Sequence, residues 1–124
     1  MKTERPVYLS PFGYKWPLAA IASITHRITG VLLFAGMAYL VWLLGLALQS
    51  SAGFERAAEI LSGSMAKLVM LVVLAALAYH FFAGIKHLVM DFHHWDTLRA
   101  GQLSSAAVFA LTAVVTLLVG IWLW

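Results

Sequence analysis

Cysteine is absent from the chain, and charge is scarce: 10% of its 124 residues are Asp, Glu, Lys or Arg. The first absence excludes disulfides, thiolate-ligated iron–sulfur clusters and covalent haem attachment through C-x-x-C-H. The second excludes an ordinary soluble domain, where about 25% of residues are charged. No polar stretch is long enough to close a soluble core of its own. The net charge is +3, from eight Lys and Arg against five Asp and Glu. That surplus is too small and too scattered to form the basic face of a nucleic-acid binder. The opening residues "MKTERPVYLSPFGYKWP" carry charge but no short apolar core ahead of a small-residue cleavage site, so they do not read as a cleaved signal peptide.

What the chain has instead is hydrophobicity, at 63% of residues and a mean hydropathy of +0.92. It reads as a single membrane domain. Crossing the hydrocarbon takes about 20 apolar residues, and three windows qualify: Ile28 to Leu48, Leu68 to Met90, and Leu103 to Trp124. Strand alternation is missing, which excludes a β-barrel. Extended to their flanks, the windows predict an all-α integral membrane protein with helices over about 18–49, 66–92 and 103–124. Pro17 suits a first helical position. The first loop, Gln49 to Ala66, has room for a short helix around Phe54 to Leu61.

Three spans put the N-terminus and the second loop on one side. With the adjoining helix ends they carry Lys2, Arg5, Lys15, Arg27, Lys86 and Arg99, six cations against Arg56 and Lys67 on the other side. The positive-inside rule then predicts a cytoplasmic N-terminus and a periplasmic C-terminus. Trp16 and Trp95 fall at the inner interface, Trp122 and Trp124 at the outer one, where aromatic belts form.

Ionisable groups inside such spans are costly and mark function. His80 lies near the middle of the second window, and Ala76 and Gly84 flank it at four-residue spacing on one helix face. Small residues on either side leave a slot beside the imidazole. Spacing alone leaves haem ligation and a buried structural hydrogen bond equally open. His87 is seven residues on, about 10.5 Å along the same face, too far to share an iron but close enough to reach the rim of a bound cofactor. Lys86 either adds charge there or snorkels to the headgroups, and the second role is favoured. In "SITHRITG" (Ser23 to Gly30), Ser23, His26 and Arg27 occupy neighbouring parts of one face at the inner membrane edge. They either bind the polar head of a greasy molecule, or a haem propionate, or simply anchor the topology. His93 and His94 lie beside Asp91 and Asp96; a metal site is one reading, but adjacent histidines point in different directions on a helix, so a solvated interfacial turn is favoured, in which Asp91 caps the helix or pairs with Arg99 or a partner chain. The stripe Ala106, Ala110, Ala113 and Gly120 reads as helix packing.

The motifs "RPVYLSP" (Arg5 to Pro11), "SITHRITG" and "HFFAGIKHLVMD" (His80 to Asp91), within a three-span layout, closely resemble the cytochrome b membrane anchor of succinate dehydrogenase, respiratory complex II, in its proteobacterial form. The resemblance implies a bacterial inner-membrane protein that pairs with a second, similar three-helix anchor around one haem b, with an iron–sulfur protein and a flavoprotein docked on the cytoplasmic side. It implies that His80 is an axial ligand of the haem iron. It implies that His26 and His87 lie near the propionates, and that Ser23 and Arg27 line the ubiquinone site. The family commonly has Arg where this chain has Lys86, and Lys keeps the charge without the bidentate geometry. A second axial histidine is expected from a partner chain. His87 shares the His80 face, the third helix has no histidine, and His26 reads as too close to the inner edge for a mid-membrane iron. The implied function is electron transfer from succinate to ubiquinone within a complex, with no succinate oxidation by this chain alone. A purely structural anchor and a proton relay through His80 and His87 are the rival readings.

Overall fold

The computed structural model describes residues 13–92, 94 and 97–124. The motif Arg5 to Pro11, and the residues His93, Trp95 and Asp96, lie outside the described residues. Among those described there are four helices: α1 (Leu18–Ala47), α2 (Ser51–Ser62), α3 (Ser64–Asp91) and α4 (Leu98–Leu123). The helices α1, α3 and α4 are long and apolar enough to cross a membrane. With 30, 28 and 26 residues they run about 45, 42 and 39 Å at 1.5 Å per residue, more than the roughly 30 Å hydrocarbon layer. Their ends therefore project past the apolar layer.

Local chemistry sets the boundaries. Pro17 is the N-cap of α1, one position ahead of the first helical residue, and its extended backbone (φ −63°, ψ 146°) admits a ring that has no N–H to give. The short α2 starts at Ser50, whose hydroxyl accepts from the Gly53 amide at 3.0 Å. On α2, Arg56 pairs with Glu59 on the exposed face, while Ala57 is buried. The start of α4 is capped by Thr97, which accepts from the Ala100 amide at 3.2 Å. That cap starts the helix at Leu98, one turn ahead of the apolar run at Leu103.

The bundle is thin. Large apolar side chains such as Phe34 (82% exposed) and Trp122 (78%) face outward, as they do where lipid is the solvent. Small residues hold the interior, since helices in lipid gain most from close backbone approach. The helices α1 and α3 run antiparallel, with Gly36 against Val73, Gly30 against His80 and Gly84 against His26. At Gly36 the approach is so close that an added Cβ would lie 2.8 Å from the Val73 side chain. Between α3 and α4 the core is Tyr79, Ala83 and Val108, with Phe82 and Phe109 packed on it. The Tyr79 hydroxyl, at the edge of that core, donates to the Ala22 carbonyl at 2.9 Å and so ties α3 to α1. At the opposite end from the histidines, the Lys67 ammonium lies 5.9 Å from the Trp124 ring, joining the start of α3 to the end of α4.

Candidate functional site

The antiparallel register of α1 and α3 brings three histidines together. The His26 ring stacks on the His80 ring, centroids 4.1 Å apart and planes 25° apart. On its other side the His87 ring is 5.2 Å away, tilted by 41°. His80 and His87 are two turns apart on α3, and the imidazole from α1 fills the gap between them. Gly84 faces this ring: a Cβ there would lie 3.9 Å from His26 Nε2, in ordinary van der Waals contact. The small-residue face beside His80 is therefore lodging for His26 on this side, not an open slot.

Lodged between His80 and His87 and facing Gly84, the His26 ring lies nearer the C-terminal end of α3 than His80 does, in keeping with its place in the sequence. The His26 and His80 rings lie face to face, so they do not aim their nitrogens at one metal ion.

His80 is oriented through Nδ1. That nitrogen lies 3.1 Å from the His26 carbonyl oxygen and 3.2 Å from the Thr29 hydroxyl. A carbonyl can only accept, so Nδ1 carries the proton and donates. The neutral ring then has its lone pair on Nε2, the nitrogen open to a metal. Gly30 completes the seat: an added Cβ would stand 3.2 Å from Cε1 of His80. His26 presents a different feature. Its Nε2 is buried and has no hydrogen-bond partner, and a buried polar atom of this kind normally has one.

No group of three or more His, Cys, Asp or Glu side chains that could hold a metal ion exists among the described residues. One imidazole with a free Nε2 fits haem better than a bare ion, since the porphyrin supplies four nitrogens and the protein only axial ligands. The orphaned His26 nitrogen fits an acidic oxygen on the same group.

The remaining sequence expectations fare differently. Ser23 is half-buried and Arg27 exposed on α1, and no hydrogen bond joins them to His26 among the described residues. The helix turns His26 into the bundle and leaves Arg27 on its outer flank. Lys86 neither snorkels to the headgroups nor faces the histidines. It is 4% exposed, and its Nζ donates to Ser105 Oγ at 2.8 Å, which in turn donates to the Gly101 carbonyl at 2.7 Å. Lys86 and His87 are adjacent, so 100° of helix rotation sends one to α4 and the other to α1. His94 is exposed and donates from Nδ1 to the Phe92 carbonyl at 2.8 Å. Among the described residues, no ion pair joins Asp91 to Arg99. Thr29 escaped notice in the sequence, where a threonine in an apolar run passes for a residue bonding its own helix backbone. It does so here, donating to the His26 carbonyl at 2.9 Å, but its oxygen also meets His80.

Fold and site together define a three-span helical membrane protein with a histidine cluster between two of its spans. The succinate dehydrogenase/fumarate reductase transmembrane subunit family matches residues 1–119, and the chain belongs to that family. It is 36% identical over 125 residues to the succinate dehydrogenase cytochrome b556 subunit of Coxiella burnetii, covering all of both chains. It is 36% identical over 109 residues to that of Paracoccus denitrificans, covering 86% of this chain and 84% of the relative. The protein of the same name from Rickettsia felis is 29% identical over 105 residues, 85% of this chain and 82% of the relative. The chain is thus a membrane subunit of a succinate dehydrogenase and not a dehydrogenase by itself. Its helical spans and bacterial relatives place it in the inner membrane, since outer-membrane spans are β-barrels.

Proposed function

We propose that this chain is the haem b and quinone-site subunit of a succinate:ubiquinone oxidoreductase, anchoring the complex and carrying electrons from succinate towards ubiquinone. The observation that carries the reading is the seat of His80: Nδ1 is fixed by α1, leaving Nε2 as the ligating nitrogen. In this reading His80 would ligate the haem iron, and His26 and His87 would meet the propionates. The unpartnered Nε2 of His26 supports the second assignment. A second protein ligand would come from a second three-helix membrane anchor. An iron–sulfur protein and a flavoprotein dock on the cytoplasmic side, where the N-terminus lies.

When bound, haem supplies a one-electron carrier between donor and quinone. This chain's residues do the rest. His80 would hold the iron, with its ring orientation set by Thr29 and the His26 carbonyl. Ser23 and Arg27 stand at the edge of the apolar layer, where a quinone head entering from lipid would meet a hydroxyl and a guanidinium. Both stabilise the charge that gathers on a carbonyl oxygen during reduction.

The test is the dithionite-reduced minus oxidised absorption spectrum of the purified complex. A b-type haem band is expected. A complex that assembles with both anchors, the iron–sulfur protein and the flavoprotein and has no such band would leave only a structural anchor or a proton relay.

A further inference from the structure

Thr29 has two faces in this structure. Its hydroxyl is buried, with the residue 6% exposed. It spends its single proton on the His26 carbonyl at 2.9 Å. Only lone pairs are left to face Nδ1–H of His80 at 3.2 Å, so here the hydroxyl accepts. The same His26 carbonyl is the second acceptor for Nδ1–H, at 3.1 Å. Thr29, His26 and His80 therefore form a closed triangle in which every direction of donation is set by chemistry. The neighbouring Gly30 lets the ring sit directly on the α1 backbone.

Building on the assignment of His80 as haem ligand, we infer that Thr29 is a positioning residue that orients the His80 ring and tunes its electron donation to the iron. Groups that accept from the far nitrogen of a ligating imidazole fix its tautomer and raise its basicity. A more basic ligand stabilises the oxidised iron more than the reduced iron. Removing one of two acceptors should therefore raise the haem midpoint potential. Loss of such partners typically changes metal affinity about 10–100-fold. One acceptor remains here, so the balance between the two oxidation states should shift by up to about tenfold, which is ~59 mV for a one-electron couple.

The experiment is a redox titration, with EPR of the oxidised haem, on the assembled complex carrying Thr29→Val, Thr29→Ala or Thr29→Ser. Valine keeps the shape and loses the hydroxyl, alanine removes both without any clash, and serine restores the hydroxyl. The expected result is an upward potential shift and altered g-values in the Val and Ala variants, with the Ser variant at the wild-type position. If Val does not assemble, Ala and Ser decide. Wild-type potentials and g-values in the Val or Ala variant, a downward shift, or a Ser variant displaced like Val would overturn the inference. His80→Leu is measured alongside. If that variant keeps the wild-type haem signal, the ligand assignment itself falls. If it loses the signal while the Thr29 variants match wild type, only the role of Thr29 falls.

Discussion

Ser23 and Arg27 sit one helical turn apart on α1, half-buried and exposed respectively, so a molecule arriving from the bilayer can reach them without opening the bundle. A donor lost from a well-organised site typically costs about 10²–10³ in rate. Arg27 is exposed, and screening by solvent would weaken its electrostatic effect, so a loss of about 10²-fold or less is expected. Ser23→Ala and Arg27→Leu should each slow ubiquinone reduction by the assembled complex. Both should spare succinate oxidation measured with an artificial acceptor that takes electrons before they reach the membrane. Normal quinone reductase activity in both variants would reduce the pair to a topology anchor. These residues, like His80, were legible as candidates in the sequence because a polar group in an apolar run stands out. The meeting of His26 with His80 was not. The two lie 54 positions apart, and only the register of α1 on α3 makes them neighbours. Nor was Thr29, whose lone pairs matter only because His80 arrives beside them.

Between elements, the bundle is held by close approach of small residues, by aromatic packing and by a few hydrogen bonds that bridge helices. The one between α3 and α4 is the chain Lys86–Ser105–Gly101. A buried donor left without its acceptor costs about 1–3 kcal/mol, and a charged one more. Ser105→Ala should therefore lower the thermal stability of the purified complex. Lys86→Met, which keeps the length of the side chain and removes the charge, should cost less, and the double variant should recover part of the loss of Ser105→Ala. Strictly additive effects in that double-mutant cycle would show that the two side chains do not interact. The three spans themselves were readable from apolar length alone, and the short helix in the first loop from its composition. The rotation of α3 was not. Apolar residues surround a membrane helix on all sides, so hydropathy carries little information on which face meets α1 and which meets α4. This is why Lys86 was expected beside the histidines or at the headgroups and is found against Ser105 instead.

At the scale of the whole molecule, the histidine cluster and the Lys67–Trp124 contact lie at opposite ends of the bundle, and among the described residues Lys15, Arg27, Lys86 and Arg99 lie towards the histidine end. That asymmetry gives a topological expectation. A reporter fused after Trp124 should be active only on the periplasmic side, because the positive-inside rule expects the end rich in Lys and Arg to stay in the cytoplasm; cytoplasmic activity of the fusion would reverse the orientation and move the histidine cluster away from a cytoplasmic electron donor. Membership of a succinate dehydrogenase membrane family could be inferred from three short motifs, two of which the structure describes and brings together on α1 and α3. The central claim is that His80 ligates haem iron, and the most direct measurement is the reduced-minus-oxidised haem spectrum of the purified complex carrying His80→Leu. Leucine suits a membrane helix, so insertion and assembly of the complex should persist while the b-type band is lost or shifted with altered potential. A fully assembled complex with a wild-type band and an unchanged potential would contradict the assignment.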